Sequence, residues 1–379
     1  MECSRSQTPE LSNEEFMRLF NKKAARDRVP ISGNLALTHR CNVKCLHCYL
    51  GKEVGSRENI AKEADTSQWL RIIDQITQAG CLYLLITGGE PLLRKDFPEI
   101  YRHAKTGGMV VTVFTNATLI DRSILELFRR FPPKAVEVSI YGASAETHEK
   151  ITGVNGSFEK SLKGIRKLID HRVNVRLKTI LMTLNRHELF DMENLAKELG
   201  VKFRFDAAVS AGLDGNKAPI ELRVPAEDAV NMEFSDGARL QRWKEFFAWT
   251  RELPVSDSLY QCGAGLTHFH IDPYGNLLPC LMITDLKYNL VNGTFAAGWH
   301  EVMSRLRERK PGAHYRCNRC EKRALCGFCP AFFKLENQKE DAYSEYLCTM
   351  GQLRFEKMND IVYNNTSLEG ELSEIEAKE

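Results

Sequence analysis

Ten of the twelve cysteines in this 379-residue chain fall into two groups whose spacing is suited to metal binding. The front group is Cys41, Cys45 and Cys48, a C-x3-C-x2-C run followed by an aromatic residue. Three thiolates this close together can converge on one centre. A four-iron cluster held by three thiolates keeps one iron free for an outside ligand, whereas a fourth thiolate would close it. A structural zinc site completed by His39 or His47 is the alternative.

The rear group holds seven cysteines, and their spacing is not random. Cys317-x2-Cys320 and Cys326-x2-Cys329 form two close pairs with five residues between them. Two such pairs resemble a zinc ribbon, but the separation is short for a ribbon and three further cysteines would have no role in it. Those three are Cys262, Cys280 and Cys348.

Composition limits where such a chain works and what it binds. The opening residues contain no hydrophobic signal segment, and no apolar run approaches the roughly 20 residues of a membrane span. The 52 Lys and Arg nearly balance the 50 Asp and Glu, which argues against a general attraction to nucleic acid or acidic membranes. We therefore expect a cytoplasmic protein with neither partner, where disulfides do not persist and metal best explains the thiols. Cys3 and Cys81 are interpreted as ordinary free cysteines.

Strand-like and helix-like stretches alternate between the two groups. Apolar stretches rich in β-branched residues predict six strands, at 35–38, 82–87, 109–114, 135–140, 175–182 and 201–209. Helical periodicity predicts helices between them, at 67–79, 98–105, 123–131, 158–171 and 186–199. This order predicts a parallel sheet with helices outside it and ligand sites at the carboxyl ends of its strands.

Polar residues and glycines follow several of these strands. The second strand ends in Gly88, Gly89, Glu90 and Pro91, where glycines permit close backbone approach and the carboxylate could hold an ammonium group. Polar side chains also end the third and fourth strands, at Thr115, Asn116 and Ser139. Residues 211–225 are predicted to be a loop leaving the barrel, either over its mouth or as a plain linker.

Charged residues alternate with apolar ones on the last two predicted strands. Such alternation could point them into a barrel lumen, although a solvated or structural role is the alternative for each. The candidates, weaker than the residues at the strand ends, are His148, Lys178, Arg204 and Asp206, and Arg176 and Lys202 alternate in the same way as Lys178 and Arg204.

The front cysteine motif resembles the signature of radical S-adenosylmethionine (SAM) enzymes. The resemblance implies an α/β fold with a partial (β/α)6 radical SAM barrel, in which Cys41, Cys45 and Cys48 hold the catalytic [4Fe–4S] cluster. SAM binds the open iron and is cleaved to a 5′-deoxyadenosyl radical, which abstracts a substrate hydrogen. By the same resemblance, SAM is contacted by Gly88, Gly89, Glu90, Pro91, Thr115, Asn116 and Ser139.

The rear cysteines resemble the SPASM extension of this family, which carries two auxiliary [4Fe–4S] clusters. The motif assigns Cys317, Cys320, Cys326 and Cys348 to one cluster and leaves Cys262, Cys280 and Cys329 for the other. Two residues separate Cys326 from Cys329, where the family usually has three. The second set also lacks a fourth thiolate, so that either His268, His270 or Asp272 completes it or one iron is open to substrate.

The resemblance implies a radical SAM oxidoreductase with three clusters that oxidises or crosslinks a peptide or protein substrate. A separate recognition protein and a low-potential electron donor, flavodoxin or ferredoxin, are the expected partners. Modification of tetrapyrrole side chains is the alternative, with the basic residues of the last strands binding propionates. A non-catalytic electron carrier is the alternative from another class, but such a carrier would not need the Gly88 to Pro91 loop.

The expected organisation has five parts. Residues 1–30 form a helical lead-in, 31–225 the partial barrel and 226–258 a helical bridge. Residues 259–360 form the smaller Cys-rich SPASM domain, and 361–379 an acidic tail that is disordered or a frayed helix.

Overall fold

The computed structural model describes residues 11–51, 57–250 and 257–376. Cys3 and part of the predicted bridge lie outside these residues. The described chain contains nine strands: β1 Ser32–Ala36, β2 Tyr83–Thr87, β3 Val110–Thr115, β4 Ala135–Ser139, β5 Val175–Ile180, β6 Lys202–Asp206, β7 His268–Ile271, β8 Asn276–Leu278 and β9 Tyr288–Asn289.

The described helices alternate with the strands. Before and within the barrel they are α1 Asn13–Asp27, α2 Arg57–Ala61, α3 Thr66–Gln78, α4 Phe97–Thr106, α5 Arg122–Arg130, α6 Ala145–Thr152, α7 Ser157–Asp170 and α8 Leu189–Glu198. After it come α9 Ala226–Glu233, α10 Gly237–Thr250, α11 Phe295–Glu308, α12 Pro330–Asn337 and α13 Glu345–Glu376. Among the described helices, none is both long enough and apolar enough to cross a membrane.

The strands form one sheet in the order β6-β5-β4-β3-β2-β1-β7-β8-β9. From β1 to β6 each strand pairs in parallel with the next along the chain. The sheet is not closed into a full barrel. This confirms the predicted α/β fold with six parallel strands in a partial barrel.

Helices cover one face of the sheet. Helix α3 begins at a capping box in which Asp65 and Gln68 exchange side-chain and backbone hydrogen bonds. Its apolar stripe, which includes Trp69 and Ile72, is fully buried in the same core as Leu35 of β1. Each such buried side chain contributes roughly 1.5–3 kcal/mol to folding. The opposite face of the sheet, away from this core, is called the inner face below.

Strand β7 extends the sheet beyond β1. It runs parallel to β1, with Ser32 opposite His268 and Asn34 opposite His270. A Cβ atom on Gly33 would lie 2.2 Å from the ring of Phe269, so this pairing requires glycine at position 33. Strands β8 and β9 continue the sheet in antiparallel pairing. Part of the region predicted as a separate Cys-rich domain is therefore hydrogen-bonded to the barrel sheet.

Two helices, α9 and α10, occupy the predicted bridge, and α13 packs against α9. Arg354 of α13 forms a bidentate ion pair with Glu233 of α9, at 2.6 and 2.7 Å. Helix α13 continues as far as Glu376, through a stretch predicted as a disordered or frayed acidic tail. The tail is rich in glutamate, which favours helix.

Candidate active site and cluster-binding regions

The front cysteine loop follows β1 and is held by the end of α6. The Lys44 and Leu46 N–H groups donate to the carbonyls of Thr152 and Ile151, at 2.7 and 3.0 Å. Carbonyls at a helix end have no partners within the helix, and here the cysteine loop supplies them. Helix α6 was not predicted from the sequence.

The three front thiols lie close enough together to affect one another's ionisation. Burial raises the pKa of Cys41 to about 11, and the nearby Glu90 and Cys48 raise it further. Burial also raises the pKa of Cys45, with added effects from Cys41 and Cys48. Although surrounding atoms partly desolvate their thiols, Cys41 and Cys48 keep exposed surface, which leaves them accessible to a ligand. The donor set therefore fits a positively charged iron–sulfur cluster core, which would stabilise the thiolates.

No three His, Cys, Asp or Glu side chains in the described ranges are positioned to hold one shared metal ion. That criterion concerns a single ion. The thiolates of a four-iron cluster each bind a different iron, so they do not share one ion.

The loop after β2 lies directly on the backbone that leads into the cysteine loop. The Gly89 and Glu90 N–H groups donate to the carbonyls of Thr38 and Arg40, at 2.7 and 2.8 Å. A Cβ atom would lie 2.3 Å from the Thr38 oxygen at Gly88 and 2.3 Å from the Arg40 oxygen at Gly89. Both glycines are therefore needed for this contact, as the sequence predicted from close backbone approach.

The Glu90 side chain is fully buried and binds the loop after β3. Oε1 accepts hydrogen bonds from the Leu92 N–H at 3.1 Å and the Thr115 hydroxyl at 2.8 Å. Oε2 accepts from the Asn116 N–H at 2.8 Å. Burial nevertheless raises the pKa of Glu90 to about 7. In this structure the carboxylate fixes two loops to each other.

A second link joins the loop after β3 to the cysteine loop. The Asn116 side-chain amide donates to Asn42 at 2.8 Å, and Asn42 donates to the Thr118 hydroxyl at 2.7 Å. Ala117, between them, has a left-handed backbone with φ of 59°. A left-handed backbone favours glycine, so alanine adopts it here at a conformational cost. Asn42 was not singled out in the sequence, although its position inside the cysteine motif was a usable signal.

The end of β4 also reaches the cysteine loop, through Tyr141. Its hydroxyl lies beside Ser139 and the Cys45 thiol. Its ring meets His47 edge-on with centroids 4.6 Å apart. The Tyr141 N–H donates to Nδ1 of His148 at 3.2 Å, and burial lowers the pKa of that histidine to about 4. His148 thus supports Tyr141, a residue that was not selected from the sequence.

The loop after β6 closes on the far side of the cysteine loop. The Leu213 N–H donates to the Tyr49 carbonyl at 2.8 Å. A Cβ atom on Gly51 would lie 2.5 Å from the Asp214 carboxylate. Of the two interpretations of this loop, these contacts favour a position at the barrel mouth.

The rear cysteines divide into sets of four and three. Cys317 interacts electrostatically with Cys320 and Cys348, and Cys326 interacts with all three. Gly351, one turn beyond Cys348 on α13, brings this helix against Cys326, where a Cβ atom would lie 2.5 Å away. The structure thus brings together the four cysteines that the motif assigned to one cluster.

The set of three consists of Cys262, Cys280 and Cys329. In addition to burial, the nearby Cys262 thiol raises the pKa of Cys280, and Cys280 and Cys262 both raise the pKa of Cys329. Cys329 begins α12 and accepts a hydrogen bond from the Phe332 N–H at 3.4 Å. Burial raises the pKa of Cys329 to about 12.

Two of the three candidates for a fourth ligand, Asp272 and His268, have hydrogen-bond partners of their own. Asp272 accepts hydrogen bonds from the Tyr274 and Asn276 backbone and from the Asn276 side chain, at 2.9 Å each. His268 lies 3.1 Å from the Ser32 hydroxyl. The third, His270, is fully buried beside His39 and His268, and within the described chain its Nδ1 has no hydrogen-bond partner.

Known proteins resemble this chain in sequence and in fold. Residues 35–199 match the family model described as "Radical SAM superfamily". The AdoMet-dependent heme synthase of Methanosarcina barkeri is 28% identical, covering 78% of this chain and 89% of its own length. A PqqA peptide cyclase of Rhodopseudomonas palustris is 28% identical, covering 66% and 67%. The Streptococcus suis SuiB structure with precursor peptide SuiA has a TM-score of 0.68 at 19% identity, covering 91% and 84%. That likeness supports the fold.

Proposed function

We propose that this chain is a radical SAM enzyme that oxidises or crosslinks a peptide or protein substrate, since residues 35–199 match the radical SAM family model. The observation that carries the proposal is the grouping of ten thiols into three, three and four around one sheet. Sequence relatives named as peptide-modifying enzymes support the substrate class.

We assign the front cluster to Cys41, Cys45 and Cys48. When SAM binds the open iron of such a cluster, one-electron reduction yields methionine and a 5′-deoxyadenosyl radical that abstracts hydrogen from the substrate. The loops after β2, β3 and β4 surround this position, and we assign SAM contacts to Gly88, Gly89, Glu90, Pro91, Thr115, Asn116 and Ser139. Because Glu90 is occupied by three donors, its contribution to this site is chiefly to position the glycines and Asn116.

We assign the rear cysteines to two auxiliary [4Fe–4S] clusters. Cys317, Cys320, Cys326 and Cys348 complete one of them. Cys262, Cys280 and Cys329 give the other three thiolates and one open position. Oxidation of a closed-shell substrate by a radical releases an electron, which the auxiliary clusters would accept. Flavodoxin or ferredoxin would supply the electron for SAM cleavage.

Tetrapyrrole modification is the second candidate. It is favoured by the heme synthase relative, which this chain matches over 89% of that protein's length. It is also consistent with the four basic residues on β5 and β6. The two candidates share the same cofactors and differ in substrate.

Anaerobic purification followed by iron, sulfide and SAM-cleavage assays tests the proposal. Three clusters predict about twelve irons per chain, and dithionite with SAM should release 5′-deoxyadenosine. Cys45→Ser should remove about four irons and abolish 5′-deoxyadenosine formation. Cys81→Ser is the matched control, because Cys81 is buried apart from both groups and should change neither value.

A cluster-loaded protein that releases no 5′-deoxyadenosine would contradict the proposal. Mass spectrometry then separates the two candidates. A peptide substrate should lose about 2 Da on oxidation, whereas a tetrapyrrole substrate should change mass with no change in any peptide.

A further inference from the structure

Four cations lie in a two-by-two arrangement on the inner face of the sheet. In the parallel pairing of β5 and β6, Arg176 is opposite Lys202 and Lys178 is opposite Arg204. Opposite residues on paired strands are about 5 Å apart, and residues two apart along a strand are about 7 Å apart. Like charges placed opposite each other destabilise a sheet. An arrangement that costs stability in this way requires another explanation.

The contacts of two members show which face the set occupies. Arg204 donates to Glu137 of β4 at 2.7 Å, and Lys178 places its ammonium 2.8 Å from the centroid of the Phe114 ring on β3. Alternation along the strands puts Arg176 and Lys202 on the same face. All four therefore face the space enclosed by the curved sheet.

Carboxylates on this face are too few to neutralise the cations. Glu137 is bound by Arg204, and Asp206 accepts a hydrogen bond from the Ala208 N–H at 2.8 Å. Within the described chain, Lys178 has no hydrogen bond or ion pair, and Nε of Arg176 is buried without a partner. A buried cationic donor without an acceptor is unfavourable unless a ligand supplies one.

The position of the set relates it to the proposed active site. Lys178 is opposite Ser139 in the pairing of β4 and β5, and Phe114 directly precedes Thr115. The cations thus begin beside the residues assigned to SAM and extend to the open edge of the sheet at β6. A substrate lying over the radical source would pass along them.

We propose that the substrate carries at least two carboxylates and that these bind Arg176, Lys178 and Lys202 on the inner face, while Glu137 holds Arg204 in place. This inference deepens the proposed function and rests on it for the identity of the bound molecule as substrate. Burial lowers the pKa of Lys178 to about 7, and a bound carboxylate would favour its ammonium form. Acidic side chains of a peptide and propionates of a tetrapyrrole offer the same chemistry.

Binding to the cluster-loaded full chain, without SAM or reductant, tests the inference apart from catalysis. The probes are iron coproporphyrin III, followed by its absorbance, and a glutamate-containing hexapeptide with its glutamine counterpart, followed by calorimetry. Binding of the porphyrin alone identifies propionates, and binding of the glutamate peptide alone identifies acidic side chains. Either result supports the carboxylate site.

Substitutions locate the binding. Lys178→Gln and Arg176→Gln should each lower the affinity for the probe by at least about tenfold, whereas Lys178→Arg should keep most of the affinity. Arg166→Gln is the matched control, because Arg166 is exposed on α7 and its loss should have no effect. No binding of either probe, equal binding of the glutamine peptide, or unchanged affinity in both Gln variants would overturn the inference. A protein that binds a carboxylate probe but never cleaves SAM would instead contradict the proposed function.

Discussion

The buried Glu90 side chain positions the loops of the site through its hydrogen bonds. Its carboxylate is fully buried and accepts three hydrogen bonds from the loops after β2 and β3. Family resemblance predicted a contact to the SAM ammonium, and the structure gives the carboxylate a positioning role.

Glu90→Gln should weaken this connection. The glutamine side chain has one oxygen and one NH2 group in place of two carboxylate oxygens. Its NH2 group must therefore face at least one of the three donors, and that hydrogen bond is lost. We expect a loss of about 1–3 kcal/mol in the free energy of unfolding and slower SAM cleavage. Urea unfolding and 5′-deoxyadenosine formation measure the two effects. Glu198→Gln, an exposed change at the end of α8, should alter neither; equal behaviour of the two variants would refute the role given to Glu90.

Lys178 should lower stability in a pH-dependent way. Its pKa falls from 10.5 to about 7, chiefly through burial. Between these values the unfolded chain binds the proton and the folded chain does not, so the lysine's contribution to stability rises with pH. At pH 6 both states are protonated and the folded state bears the full cost of a buried charge.

Lys178→Met should therefore stabilise the protein at pH 6 by at least about 1 kcal/mol, with a smaller gain at pH 9.5. Urea unfolding at the two pH values measures it. Lys163→Met, on the exposed face of α7, should show no such pH-dependent gain. An identical gain at both pH values would mean that the Lys178 ammonium is not destabilised by burial.

At the scale of elements, the site depends on loops that touch backbone to backbone. Gly89→Ala would place a methyl group 2.3 Å from the Arg40 carbonyl oxygen, so the loop after β2 must move away from the cysteine loop. We expect about 1–3 kcal/mol of destabilisation and reduced iron content at the front cluster. Gly237→Ala is the control, since a Cβ atom there meets no other atom within 4 Å. Normal iron content in Gly89→Ala would show that the contact is dispensable.

Periodicity predicted the barrel elements because each repeats an apolar pattern over its own length. All six barrel strands and the helices between them were found near their predicted positions. Helix α6 was missed because its eight residues, AETHEKIT, carry little apolar periodicity. Strand β7 was missed because four residues give no reliable pattern and its partner β1 lies more than 200 residues earlier. Such distant pairing depends on tertiary packing, which local sequence does not report.

At the scale of the whole molecule, Arg223 connects the barrel to the Cys-rich region. It follows β6 and forms a largely buried ion pair with Glu336 of α12 at 2.8 Å. Its guanidinium also lies over Tyr346 of α13, 4.7 Å from the ring centroid. One side chain thus joins the loop after β6 to two elements that carry rear cysteines.

Arg223→Met should leave Glu336 as an unpaired, largely buried charge. We expect a loss of about 3 kcal/mol or more in the free energy of unfolding, with part of it restored by adding Glu336→Leu. Urea unfolding and iron content of the two variants measure this. Arg305→Met removes an exposed pairing with Glu301 and should cost less than about 1 kcal/mol. Additive effects of the two buried changes would show that the pair does not interact.

Family resemblance predicted the partition of the rear thiols into four and three, whereas spacing alone could not, because Cys326 and Cys329 are three residues apart and lie in different sets. The inner-face cations were visible only as an alternation, since their direction depends on the pairing of β5 with β6. Tyr141 and Asn42 gave weaker signals, because an aromatic ring or an amide has many ordinary uses.

The pairing of β7 with β1 also determines how the protein can be divided. Removing everything after α10 would leave one side of β1 as an edge strand with unpaired N–H and C=O groups. Such an exposed edge invites aggregation with other chains. Gly33 would in addition lose the Phe269 ring that covers it. An isolated barrel fragment is therefore expected to be poorly soluble. A shortened protein should not end at residue 258, directly before the predicted start of the Cys-rich domain.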